Sequence, residues 1–239
     1  MPNPELVITD LCGLNNSDPN KSAARIIRGG SWRRQNIVVI LPAADMIHAK
    51  VALALWSLIM PPNNGCVRIL ALGQEVGEAY TNAITQVLAH PQLKDFQFIL
   101  SVEADNLPPA DGVLKLLETL EEHKELSWVS GLYWTKSEGG VPQIWGDPAD
   151  PILNFRPQIP KPEMVQECCG TGQGFALYRM SLFKDERIER PWFKTEKGVG
   201  GVSTQDLSFA SKARKWGHRC AVDTRVKVGH IDPATGFVW

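Results

Sequence analysis

The sequence of 239 residues has no long hydrophobic run, no C-x-x-C pair and no excess of charge of one sign. Each absence excludes something. The longest apolar stretch, Val51 to Met60, is about half of the ~20 residues that a membrane-spanning helix needs, so no integral membrane segment is expected. Lys plus Arg number 25 and Asp plus Glu 26, a net charge of -1; nothing in that balance points to a nucleic-acid partner, which a strong basic excess would. The cysteines Cys12, Cys66, Cys168, Cys169 and Cys220 are odd in number and two are adjacent, which argues against a disulfide framework and, without C-x-x-C spacing, against a zinc site. A reducing, cytoplasmic setting is expected. The opening residues, Met1-Pro2-Asn3-Pro4-Glu5, lack the basic and apolar regions of a signal peptide. There is no internal repeat and no low-complexity tract.

What is present is an apolar fraction of 44%, enough for a real core, in a chain of a length that fits one α/β domain over residues 1–239. Asn36 to Leu41 reads as a buried strand that Pro42 ends, and Asp45 to Ile59 as a helix. Val67 to Leu72 is a second apolar run. In the segment after it, Val76, Ala79, Tyr80, Ala83, Ile84, Val87 and Leu88 recur at spacings of three and four, the period of an amphipathic helix. Phe96 to Val102 is a third strand, and Val113, Leu114, Leu116, Leu117 and Leu120 mark a third helix with Asp111 in its first turn. Strand–helix units in series predict a mostly parallel sheet flanked by helices, a Rossmann-like α/β fold. Ligands on such sheets gather beyond the carboxyl ends of the strands. The second half is more mixed: Trp128 to Trp134 and Gly174 to Tyr178 look like strands, separated by a long irregular stretch from Lys136 to Cys169. Residues 1–35 read as an irregular extension, with Arg25, Arg28, Arg33 and Arg34 as a solvated basic cluster.

The third strand leads into Glu103-Ala104-Asp105. In an extended chain residues i and i+2 face the same side, so both carboxylates are expected to face one pocket. Two close acids are costly unless a positive charge lies between them, and a divalent cation carrying a phosphate-bearing ligand would supply it. An ordinary solvated loop fits the same residues. Two later features converge on that end of the sheet. The Gly-rich Gly198 to Gly201 stretch, a candidate hinge, runs through Ser203-Thr204 into a helix from about Gln205 to Trp216, with Asp206 in its first turn. There an acid either complements the helix dipole or acts as a base. From Arg219 onward, Val222, Val226 and Val228 alternate with Asp223, Arg225 and Lys227, and His230 falls on the apolar parity. It is either a core histidine or a ligand for a manganese-like ion.

In their order these parts resemble the nucleotide-sugar glycosyltransferases of the GT-A fold, the family 2-like group in particular, over roughly Asn36 to Ile231. Glu103-Ala104-Asp105 is similar to the D-x-D motif, Ser130-Gly131-Leu132-Tyr133 to its "SGLY" strand, and Gly172 to Arg179 to its acceptor-side segment. Thr204-Gln205-Asp206-Leu207-Ser208-Phe209 matches a "T-E-D-x-x-F" context, and Gly229-His230-Ile231 a "G-H-I/V" strand end. The chain departs from the pattern at Glu103, at Gln205 and at Thr81-Asn82, where the family often carries Arg-Asn. The resemblance implies a GT-A-type sheet with a nucleotide-binding half at about 36–125 and a mixed-strand acceptor-binding half at about 126–239. It implies a Mn2+ or Mg2+ ion on Asp105, His230 and Glu103, and a nucleotide contact at Pro42, Ala43, Asp45, Asn82, Glu103, Ala104 and Asp105. It implies transfer of a sugar from a nucleotide-diphosphate sugar, a UDP-sugar first, to a carbohydrate or other hydroxyl acceptor. Asp206 as base opposite the leaving group would make the transferase inverting. Trp134, Trp145 and Trp192 either offer faces to an acceptor sugar or pack under the loops. A noncatalytic nucleotide-sugar-binding protein, a nucleotidyltransferase and an interaction protein without a nucleotide site are the competing readings.

Overall fold

The computed structural model describes residues 35–61, 65–135, 140–198 and 201–239. Cys12 and the cluster Arg25, Arg28, Arg33 and Arg34 lie outside the described residues, as do Val199 and Gly200 of the Gly-rich stretch. The main sheet has strands β1 (Ile37–Ala43), β2 (Cys66–Leu72), β3 (Phe98–Val102), β4 (Leu126–Leu132), β5 (Val165–Cys168), β6 (Phe175–Arg179) and β7 (Arg219–Lys227). Their spatial order is β2-β1-β3-β6-β4-β7-β5. β1 pairs parallel with both β2 and β3, and β4 parallel with β7; β6 and β5 are the antiparallel members. The helices are α1 (Ala49–Trp56), α2 (Val76–Ala89), α3 (Gly112–Glu122), α4 (Met180–Phe183) and α5 (Gln205–Lys215).

The near-continuous apolar strands are explained by burial on both faces. In β1, Val38 and Ile40 pack with Tyr80, Ile84 and Val87 of α2, while Ile37 and Val39 pack with the α3 layer of Val113, Leu114, Leu117 and Leu120. β3 divides the same way, Ile99 to the first side and Phe98, Leu100 and Val102 to the second. α2 forms where the three-four spacing predicts it, with the Glu75 carboxylate accepting the Glu78 N–H at 3.1 Å at its start.

Several sequence expectations need correction. β1 does not stop at Pro42 but continues to Ala43, paired with β2. Its pairing with β3 ends at Ile40, so Pro42 needs to serve only one neighbour, and a missing N–H is tolerated where a ladder is one-sided. The helix expected from Asp45 begins only at Ala49, because the His48 imidazole accepts the Lys50 N–H and caps it. Asp111 is the N-cap residue of α3 rather than part of its first turn, and its carboxylate pairs with Lys115 at 3.2 Å. In β7 the polar–apolar alternation fails at Asp223, which is fully buried. A register shift follows it. Arg225 grips that carboxylate through two bonds of 2.8 Å and the Thr119 hydroxyl donates to it at 2.6 Å, which offsets the cost of burying a charge. No helix among the described residues is long and apolar enough to cross a membrane.

Candidate active site

The carboxyl ends of β1, β2 and β3 open into a cleft of about 480 Å3. Pro42, Ala43, Glu103, Ala104 and Asp105, all expected from the sequence to contact a nucleotide, line it. Ala44, Met46, His48, Gln74, Val76, Gln205 and Pro233 complete the lining. Asp45 is exposed at a bend beside these residues without lining the cleft. Asn82 stands behind it on α2, donating to the Gln74 side-chain oxygen at 2.8 Å.

Glu103 and Asp105 come together by a different route from the one the extended-chain argument supposes. The chain turns at 103–106, closed by the Asn106 N–H on the Glu103 carbonyl at 3.2 Å. Both carboxylates reach the cleft through that turn. Its geometry is held from the residues just before β6: the Glu103 N–H donates to the Gly174 carbonyl at 3.0 Å, and the Ser101 hydroxyl to the Gln173 carbonyl at 2.7 Å. The backbone at Gly174 passes so close to Asn106 that a Cβ there would lie 2.5 Å from the Asn106 amide oxygen. The Gly174 N–H is itself held by the Tyr133 hydroxyl at 2.9 Å.

His230 reaches the same place from the far end of the chain. The two-residue strand Gly229–His230 pairs antiparallel with Asn106–Leu107, and the Ile231 N–H donates to the Asp105 carbonyl at 2.8 Å. A closing hairpin clamps the other side: His230 and Trp239 exchange backbone bonds of 3.2 and 3.0 Å across a turn in which Gly236 takes a φ of +72°. The His230 ring lies between the rings of Tyr133 and Trp239, 6.0 Å from each. As a result His230 Nε2 lies 3.2 Å from Asp105 Oδ2, across a separation of 125 residues. Their other polar atoms, Asp105 Oδ1 and His230 Nδ1, are buried without a hydrogen-bond partner. A buried carboxylate oxygen and imidazole nitrogen left in this state cost free energy unless a further group completes them. Carboxylate plus imidazole is a donor set that suits Mn2+ or a similar ion, so the residues present fit a divalent cation in chemical type. Glu103 does not join them as a third donor: among the described residues no group of three or more His, Cys, Asp or Glu side chains is arranged to hold a metal.

The site is strongly acidic. Burial, and then the charges of Asp105 and Asp206, push the Glu103 carboxyl from its ordinary value of 4.5 up to about 8. Asp206 is also raised, by burial, against the opposing bonds to its carboxylate. It sits in the first turn of α5, where Thr204 and the Leu207 N–H, the latter at 2.9 Å, both engage Oδ1. Burial and the acid charges likewise push the Tyr133 hydroxyl well above the ordinary phenol range. Asp105, Glu103 and Asp206 therefore share one electrostatic neighbourhood at the carboxyl ends of the strands. Trp192, by contrast, is 1% exposed and packs within the core against Phe183, so it offers no face to a ligand. Trp134 and Trp145 are half-buried and do not line the cleft.

The sheet order, the helices on both of its faces and the cleft beyond β1 and β3 are those of a GT-A-type α/β fold. No protein-family model and no curated protein matches the chain in sequence. Among solved structures it is similar to A197 from STIV, with a TM-score of 0.59 and 18% identity, covering 83% of this chain and 87% of that one. It is similar as well to GalNAc-T7, solved with UDP, GalNAc and Mn2+, with a TM-score of 0.57 and 10% identity over 85% of this chain. The match spans 45% of the GalNAc-T7 chain.

Sequence reasoning missed His48, Gln74, Gln205 and Pro233 as lining residues. Gln74 was within reach of the rule that used Pro42, since it follows a parallel strand in the same way. Pro233 carried no signal, because its position depends on the hairpin that closes on Trp239.

Proposed function

We propose that the protein is a metal-dependent glycosyltransferase that moves a sugar from a nucleotide-diphosphate sugar, a UDP-sugar in the first instance, to a hydroxyl acceptor. The observation that carries this reading is the contact of Asp105 with His230 at one edge of the cleft, each with a second polar atom buried and unsatisfied. The likeness in fold to GalNAc-T7, which was solved with UDP, GalNAc and Mn2+, supports the choice of ligand. Asp105 and His230 would hold a divalent cation, which when bound supplies positive charge against the diphosphate leaving group.

The chain's own residues account for the rest. Pro42, Ala43 and Ala104 form the wall along which the nucleotide lies. Asp206 is the general base. Burial raises its carboxyl, which brings its basicity closer to that required for taking a proton from a hydroxyl near neutral pH. Thr204 and Leu207 fix Oδ1, leaving Oδ2 to receive the acceptor proton. The acceptor oxygen, giving its proton to Asp206, attacks from the face opposite the diphosphate, which departs with its bonding electrons, so the anomeric centre is inverted.

The test is release of UDP from UDP-sugars by the purified chain, with and without an acceptor panel of sugars, in Mn2+ and in EDTA. Release that needs both Mn2+ and Asp206 supports the reading. Tight, Mn2+-dependent binding of UDP-sugar with no release against any acceptor would favour a binding protein instead.

A further inference from the structure

The segment Gly131-Leu132-Tyr133, at the carboxyl end of β4, touches both halves of the Asp105–His230 contact, although neither half is near it in sequence. On the His230 side the backbone makes the link. The Val228 N–H donates to the Leu132 carbonyl at 2.8 Å, just before Gly229-His230. The two chains run so close here that a Cβ at Gly131 would lie 2.6 Å from a Val228 methyl carbon. Glycine in a strand marks this kind of close approach. Tyr133 then lays its ring 6.0 Å from the His230 ring.

On the Asp105 side the link is the Tyr133 hydroxyl. It accepts the Gly174 N–H at 2.9 Å. The Gly174 carbonyl in turn accepts the Glu103 N–H at 3.0 Å, at the head of the turn that carries Asp105. Gly172-Gln173-Gly174 bends closely around these groups, and its two glycines serve different neighbours. A Cβ at Gly172 would run into the Tyr133 oxygen, whereas one at Gly174 would run into the Asn106 amide. Tyr133 is only 3% exposed and packs in the core on the α3 side of the sheet. Its hydroxyl therefore stands at a fixed reach from the ring that faces His230. A phenylalanine would keep the ring contact and leave the Gly174 N–H without its acceptor.

We propose that Tyr133 is a positioning residue for the Asp105–His230 pair: its ring seats the imidazole, and its hydroxyl, through Gly174, sets the turn that aims the carboxylate. This rests on the reading above that the pair holds a divalent cation. Groups that orient metal ligands without touching the metal commonly change its affinity 10–100-fold.

The test compares the parent with Tyr133→Phe, both as the full chain, by two measurements. One is the Mn2+ dissociation constant, from the free-ion paramagnetic resonance signal. The other is amide hydrogen exchange in EDTA. Two amides report on the linkage directly, that of Glu103 on Gly174 and that of Ile231, which donates to the Asp105 carbonyl at 2.8 Å. In Tyr133→Phe the Mn2+ dissociation constant rises about tenfold. The Glu103 and Ile231 amides exchange about tenfold faster, while those of β1 change little. A merely structural loss would instead speed all slow amides alike and leave Mn2+ binding within twofold of the parent, and that result overturns the proposal. Weaker Mn2+ binding without faster exchange at Glu103 overturns the route through Gly174. Unchanged Mn2+ affinity in Tyr133→Phe, with the parent binding the ion, overturns the assignment of Tyr133 and leaves the cation reading standing. A parent that binds no Mn2+ overturns the cation reading itself, and the role of Tyr133 with it.

Discussion

Replacing Glu103 by Gln removes a carboxyl that the folded protein holds at about 8 against an ordinary 4.5. The folded state therefore binds this proton more tightly than the unfolded chain does. The contribution to stability is fully present below pH 4.5 and is lost as pH rises through 8. The full gap corresponds to at most about 5 kcal/mol. Glu103 is half-buried beside an open cleft, so solvent screening reduces the expected loss to roughly 2 kcal/mol. Gln has nearly the same shape and never ionises. Glu103→Gln is accordingly about as stable as the parent at pH 4.5 and more stable at pH 8.5, by roughly 2 kcal/mol. For a chain of this size that is about 4–8 °C in melting temperature. The assay is a pair of thermal melts for each protein at the two pH values, followed by circular dichroism in EDTA, so that no cation offsets the acid charge. An equal difference between the proteins at both pH values would mean that the Glu103 carboxyl is not raised in the folded protein. So would a Gln variant less stable than the parent at pH 8.5.

Three further outcomes follow from the same geometry. Asp206→Asn keeps Mn2+-dependent UDP binding within about twofold but lowers sugar transfer by about a hundredfold or more, the usual worth of a general base, as read by UDP-release kinetics. His230→Ala weakens Mn2+ binding by about tenfold, measured by the free-ion paramagnetic resonance signal, while the melting temperature moves little. A large loss of stability with unchanged Mn2+ affinity would mark a core histidine instead. Gly174→Ala forces a methyl group against the Asn106 amide and strains the turn that carries Glu103 and Asp105. It destabilises the protein by about 1–3 kcal/mol, seen in urea titration.

How much of this could be read beforehand depended on the range of the forces involved. β1, β3 and α2 were legible because their signal is local: Val38 and Ile40 against Ile37 and Val39, or Tyr80, Ile84 and Val87, carry the two faces and the period in the residues themselves. The cleft at Pro42, Ala43 and Glu103 to Asp105 followed from where parallel strands end. What local pattern could not reveal was compensation supplied from elsewhere. Asp223 reads as a surface residue until Arg225 and Thr119 are seen to satisfy it. Trp192 reads either as a face for an acceptor sugar or as packing under the loops until the aromatic cluster around Phe183 is seen to enclose it. Glu103 and Asp105 were rightly placed in one pocket by a wrong argument, since a turn rather than a strand aims them there. The approach of His230 to Asp105 was suggested by parity and by resemblance. The clamp that produces it, the pairing of Gly229–His230 with Asn106–Leu107 on one side and Trp239 on the other, left no mark in the sequence.

Anomalous diffraction at the manganese edge, from crystals grown with Mn2+ and UDP, puts the joint ion site of Asp105 and His230 to the test. One strong peak is expected within coordination distance of an Asp105 oxygen and a His230 ring nitrogen, with the UDP phosphates against it. A peak bound elsewhere, or UDP held in the cleft with Asp105 and His230 still touching only each other, would contradict it.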